Sequence, residues 1–190
     1  MTAGIVGLLL AAGEGRRFGS DKLLHPLADG TPMAVASART LRRACPRSIA
    51  ILRPEQTVLA GLLAAEGLEL VTCAEASAGM GHSLAAGVAA SRDAAGWLVA
   101  LADMPFLQAA TLQRVAEALA GGAALVAPVH RGLRGHPVAF APRWRDELLA
   151  LGGDAGARAI LAGHRDLLCK LETDDPGVLR DVDTPADLTA

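Results

Sequence analysis

The 190-residue sequence contains no tyrosine, and aromatic residues make up only 3% of it. That argues against the interleaved aromatic platforms on which nucleic-acid bases stack. Its 18 Lys and Arg face 20 Asp and Glu, a formal net charge of −2, so no global basic field draws in a polyanion. Nucleic acid is therefore not an expected partner. Cysteine is scarce: Cys45, Cys73 and Cys169 are far apart, odd in number and form no CxxC pair. They read as buried free thiols in a reducing compartment. The opening MTAGIVGLLLAAG has an apolar run without a basic segment before it, and the run is too short to span a bilayer. The expectation is a cytoplasmic protein with no membrane partner.

What is present is apolar and small. Hydrophobic residues make up 52% of the chain and charged residues 20%, a globular composition. The length suits one domain over 1–190 with a real core. Short apolar runs at Ile5–Ala11, Ser48–Leu52, Leu68–Thr72, Trp97–Ala102 and Ala123–Pro128 read as strands. Between them, Pro32–Ala44, Pro54–Glu66, Gly81–Arg92 and Gln108–Ala120 read as helices, the first capped by Thr31. This alternation predicts an α/β fold: a three-layer α/β/α sandwich on a mostly parallel, Rossmann-like sheet. The connector HRGLRGH at 130–136 adds a small antiparallel hairpin. Helices at Pro142–Leu151 and Ala155–Ala162, a weak strand at Leu167–Leu171 and a short helix near Pro185 complete the reading.

Ligands in such sheets sit beyond the carboxyl ends of the strands. Two polar clusters fall there: residues 13–22, after the first strand, and Asp103, after WLVALA. The first reads LLLAAGEGRRFGSDKLL from Leu8 to Leu24. It is not a Walker A loop, because Lys22 follows Asp21 and precedes Leu23, whereas that loop needs Gly-Lys-Ser/Thr. Nor is it a dinucleotide fingerprint, because the spacing is GxGxxxG and no acid ends the second strand. Its glycines can wrap a backbone around a polyphosphate, and Arg17 and Lys22 add positive charge to the N–H donors. Asp103 is a candidate metal ligand, since magnesium (Mg2+) takes one or two carboxylates with phosphates and water.

The sequence then shows a resemblance. LAAGEGRRFGSDKLL resembles the signature LAAGxGxRFGxxKLL of nucleotidyltransferases of the molybdenum-cofactor type, most of all the molybdopterin cytidylyltransferase group. EASAGMGHSLAAGV (75–88), ALADMP (100–105), RGHPVAF (134–140), GDAGAR (153–158) and DVDTPADL (181–188) resemble later motifs of that family in the same order. The resemblance implies transfer of CMP from CTP to molybdopterin with release of pyrophosphate. A molybdenum hydroxylase apoenzyme would then receive the product.

The resemblance also implies roles for residues. Leu10, Ala11, Ala12, Gly13 and Gly15 would surround the nucleotide, with Gly79 and Ser83 near its ribose and base. Lys22 would grip the α-phosphate and Arg17 the departing phosphates. Asp103 and Asp183 would hold Mg2+, and His136 and Arg158 the acceptor. Asp183 has a competing reading as the cap of the last short helix. Alanine at position 12, where the guanylyl branch has glycine, points to cytosine. Three other readings stay open: guanylyl or other nucleotidyl transfer to a small phosphorylated acceptor, an NAD(P)-dependent reductase, and a cofactor-binding chaperone.

Overall fold

A computed structural model describes residues 4–13, 15, 18, 21–154 and 156–188. Strands β1 (Ile5–Leu10), β2 (Ser48–Leu52), β3 (Glu69–Thr72) and β4 (Gly96–Leu101) lie parallel in the order β3-β2-β1-β4. β5 (Leu125–His130) is joined to β4 through the antiparallel β7 (Val138–Phe140). β5 also pairs antiparallel with β6 (Leu133–Arg134) and parallel with β8 (Leu168–Glu172). The hairpin expected at 130–136 is the β5–β6 turn. Arg131 (φ 51°) and Gly132 (φ 78°) both take left-handed backbone, as a two-residue type I′ connection requires.

Side chains alternate across each strand, so β1 feeds two cores. Leu9 and Ala11 point toward α1 (Met33–Ala44), α2 (Thr57–Ala65) and α4 (Ala109–Ala120), packing with Leu41, Leu63 and Leu112. Val6, Leu8, Leu10 and Ala12 point toward α3 (Met80–Ala89), α5 (Arg145–Leu149) and α6 (Arg158–Gly163), with Leu84, Val88, Leu148 and Ile160. The three-layer α/β/α arrangement is thus the one the alternation predicts. No helix of the described residues is long and apolar enough to cross a membrane.

Several boundaries move, each for a local reason. Thr31 does not cap α1: Pro32 holds the N-cap position without a side-chain bond, and the Met33 N–H donates instead to His25 O, 2.9 Å away. Thr31 N–H donates to Asp29 Oδ1. The second helix begins at Thr57, because Arg53–Gln56 forms a turn closed by Gln56 N–H to Arg53 O. Pro142–Trp144 is a 3-10 turn that runs into α5. α6 starts at Arg158; Gly156 ahead of it has φ 51°, which a right-handed helix does not admit. Residues 185–188 form a 3-10 turn.

The order β3-β2-β1-β4 contains a switch point. The chain leaves β1 toward β2 on one side, and β4 lies on the other. A crevice opens beyond the carboxyl ends of strands at such a point. The residues after β1 and those after β4 meet there.

Candidate active site

Lys22 opens a short 3-10 turn, Lys22–Leu24, whose next residue Leu23 is buried in the core beneath α1. That anchor directs the lysine under the crevice, where it is only 8% exposed. Its Nζ donates to Asp103 Oδ2 at 2.8 Å and lies 3.6 Å from Asp183 Oδ1. Residues 81 and 161 positions away are thereby gathered around one ammonium. The tail is held by main chain: Val182 N–H donates to Asp103 O at 2.9 Å, and the Val182 side chain is fully buried with Phe18 and Met33.

The turn that follows is held by a side chain. Asp187 Oδ2 accepts from Asp183 N, Thr184 N and Thr184 Oγ1 at 3.0, 2.7 and 2.9 Å. Those bonds hold the Asp187 carboxyl below its usual range. The Asp183 carboxylate itself lies 3.6 Å from the Lys22 ammonium.

Two adjoining cavities, of about 400 and 550 Å³, share Leu10, Met80, Leu101, Asp103 and Asp154 as walls. Ala12, Gly13, Gly79 and Ser83 line the first. Arg134, His136, Arg158, Asp181 and Asp183 line the second. Leu10, Ala12, Gly13, Gly79 and Ser83, expected around a nucleotide, and His136 and Arg158, expected around an acceptor, thus line neighbouring cavities that share Asp103. Ala11 is a correction. Strand alternation turns its side chain into the opposite core, where it is fully buried, so only its backbone is near the crevice. Gly15 takes φ 58° in the loop itself. Arg17, like Arg16 and Gly19, lies outside the described residues.

The Gly79-Met80-Gly81 segment and the Gly152–Asp154 segment, separate motifs in sequence, pack on each other. Gly81 N–H donates to Gly153 O at 2.9 Å. A Cβ at Gly79 would strike the Gly153 carbonyl, and Gly79 has φ 134°. Gly79→Ala combines backbone strain with overpacking, for an expected loss of about 2–5 kcal/mol. The check is the denaturation midpoint; a wild-type midpoint would show that the two loops are not seated on each other.

Sequence reasoning missed Arg53 and Gln56. Arg53 Nη1 donates to Ala12 O, and Gln56 Nε2 donates to Ala11 O at 3.0 Å. Gln56 Oε1 in turn accepts from Arg53 N at 2.7 Å. They fix the backbone at the end of β1 from the neighbouring strand. The polar run RPEQ at the carboxyl end of an apolar strand was the available signal. Asp154, shared by both cavities, was also missed, being read only as part of a motif.

His136 is half-buried, and its Nδ1 is buried without a hydrogen-bond partner among the described residues. Burial lowers its pKa first of all, Arg134 and Arg158 lower it further, and Asp103 and Asp181 oppose them. An imidazole depressed in the folded state contributes stability that is present above the unfolded value of about 6.5 and lost as pH falls through the folded one. Wild type should therefore lose more stability between pH 7 and pH 5 than His136→Gln does, by urea denaturation. Equal losses would contradict a buried neutral His136.

Among the described residues no group of three or more His, Cys, Asp and Glu could hold a metal ion. The carboxylates on Lys22 are two hard oxygen donors, Asp103 at 24% and Asp183 at 43% side-chain exposure. That set fits a cation such as magnesium or manganese, whose remaining positions go to phosphate and water.

A family model described as the MobA-like NTP transferase domain matches residues 7–168. Purine catabolism protein PucB of Bacillus subtilis is 31% identical over 95% of this chain and 92% of its own length. Nicotine blue oxidoreductase of Paenarthrobacter nicotinovorans is 32% identical over the same shares. Molybdenum cofactor guanylyltransferase of Cupriavidus pinatubonensis is 33% identical, again over 95% and 92%. Among solved structures, Rv0371c of Mycobacterium tuberculosis in complex with manganese superposes with a TM-score of 0.81 at 28% identity, over 98% of this chain and 97% of that one. With a switch-point crevice, a glycine loop after β1 and an aspartate after β4 already in place, the chain belongs to the MobA-like NTP transferase domain family.

Proposed function

We propose that this protein transfers CMP from CTP to a phosphate of molybdopterin and releases pyrophosphate. The observation that carries the reading is the pair of cavities meeting at Asp103, with Lys22 between two carboxylates. An acceptor phosphate oxygen attacks the α-phosphorus, the bond from that phosphorus to the bridging oxygen breaks, and pyrophosphate carries the electron pair away. Such a transfer asks a protein for position and charge rather than covalent chemistry.

The first cavity takes the nucleotide. Leu10, Ala12, Gly13, Gly79 and Ser83 form its walls, the Ala11 backbone and Gly15 belong to the same loop, and Arg53 and Gln56 keep that loop in place. Lys22 neutralises charge developing on the transferring phosphate. Arg17, from the same loop in sequence, holds the phosphates that leave. Asp103 and Asp183 would hold Mg2+, which supplies positive charge to the phosphate oxygens. His136 and Arg158 hold the acceptor in the second cavity. The neutral imidazole leaves the cationic work there to Arg134 and Arg158.

The relative named molybdenum cofactor guanylyltransferase supports a molybdenum-cofactor acceptor, and the choice of CTP over GTP rests on the resemblance of Ala12 to the cytidylyl branch. On this reading the 190 residues work as one domain in the cytoplasm and deliver the product to a molybdenum hydroxylase. The relative named nicotine blue oxidoreductase favours a second reading, a reductase on the same fold. Lys22 set between two carboxylates weighs for transfer, since hydride transfer has no use for it.

Mass spectrometry of the products from CTP or GTP with molybdopterin tests the proposal. A cytosine dinucleotide of molybdopterin is expected; oxidation of NADPH with no dinucleotide would favour the reductase. Arg158→Ala should raise the acceptor KM about tenfold, the loss of one charge-assisted hydrogen bond of 1.5 kcal/mol or so, with the CTP KM little changed. Equal shifts in both would remove Arg158 from the acceptor site.

A further inference from the structure

The carboxylates of Asp103 and Asp183 already share a cation. The Lys22 ammonium stands 2.8 Å from one and 3.6 Å from the other. Lys22 is 8% exposed, so its charge has been taken largely out of water to stand there. A buried ammonium is costly unless it is paired, and it keeps two neighbouring carboxylates from repelling each other. Among the described residues, these three side chains set one positive charge against two negative ones. A divalent cation joining them with Lys22 in place would set three positive charges against those two negative ones within a few ångströms. Like charges repel most where water screens least. A polyphosphate changes that balance twice. It brings negative charge to the cluster, and it offers the ammonium a second set of oxygens.

From this charge balance we infer that Lys22 is the resident cation of the Asp103–Asp183 pair, and that a divalent metal gains this site only as the ammonium passes to a nucleotide phosphate. The inference rests on the nucleotidyl-transfer reading above. Lys22 then has two tasks in sequence: it keeps a lone metal ion out, and it meets the phosphate that draws it away. Metal and nucleotide bind together, each improving the other's affinity by the same factor.

Mn2+ binding without nucleotide, followed by loss of the free-ion electron paramagnetic resonance signal, tests this on the full chain. Lys22→Met should bind Mn2+ at least about tenfold more tightly than wild type, within the range usual for coupled ligands. Lys22→Arg, which keeps the cation, should stay within about twofold of wild type on the same scale. Adding Asp103→Asn to Lys22→Met should abolish the gain. If Lys22→Met binds no more tightly than wild type, or if its gain survives Asp103→Asn, the inference is overturned. Should circular dichroism show Lys22→Met unfolded, Lys22→Gln carries the same comparison. The underlying reading fails separately, by absence of pyrophosphate release with every nucleoside triphosphate. The Mn2+ comparison uses no nucleotide and still decides the role of Lys22.

Discussion

Asp103→Ala is expected to lower pyrophosphate release by roughly a thousandfold or more while the protein stays folded. The residue follows β4 by two positions at the switch point, walls both cavities and accepts from Lys22 at 2.8 Å. Charge stabilisation at a transferring phosphate is worth several kcal/mol, and about 4 kcal/mol corresponds to a thousandfold in rate. Asp103 contributes to folding mainly through its main chain, whose carbonyl takes the Val182 N–H, and alanine keeps that carbonyl. Circular dichroism should therefore stay native, while the thermal midpoint falls modestly because the Lys22 ammonium loses its partner at 2.8 Å. Asp183→Ala should reduce turnover less, because Asp183 lies farther from Lys22 and is more exposed. The order of the two losses is as informative as their size. A larger loss at Asp183 would mean that the tail, not the β4 end, centres the site.

Lys22→Met is the second large effect. Methionine keeps the stem's apolar packing and removes the charge. Loss of a preorganised positive group at developing negative charge should lower kcat by about 10²–10³-fold. Stability should also fall, because two carboxylates are left facing each other. A fully buried ion pair robbed of one partner loses about 3–5 kcal/mol. Asp103 and Asp183 both reach water, so the loss here should be nearer 1 kcal/mol. Lys22→Arg should recover the stability and only part of the rate, since a guanidinium fork does not substitute for a compact ammonium. Rate and stability that fall and recover together across these variants would mark Lys22 as structural alone.

The periodic parts of this fold were legible in sequence. Runs such as Ser48–Leu52 and Trp97–Ala102, buried on both faces, announce parallel strands, and the helices between them follow from the alternation. Boundaries were less legible wherever a tertiary bond replaced a local one. The Thr31 cap is the clear case: His25 O, across a turn, supplies what a threonine hydroxyl would have. Side-chain direction was the other limit. Ala11 and Ala12 look equivalent in sequence, yet one enters each core.

At the site, types and spacing suggested Lys22 and Asp103, and the resemblance Asp183, but nothing in the sequence says that a lysine would stand between the two acids. That depends on the Val182–Asp103 main-chain bond, which draws the tail across the end of β4. The contact between the 79–81 and 152–154 loops was equally hidden. Glycine in two distant motifs reports that something approaches closely, not that they approach each other. Arg53 and Gln56 act through backbone carbonyls, which leave no mark on the sequence they hold.

The most direct test of the central claim is pyrophosphate release by wild type and Asp103→Ala, with each nucleoside triphosphate, with and without molybdopterin, and with and without Mg2+. Release should require acceptor and metal together, be fastest with CTP, and vanish in Asp103→Ala. No release with any nucleoside triphosphate, or release that survives Asp103→Ala unchanged, would contradict a nucleotidyl-transfer site built on Lys22, Asp103 and Asp183.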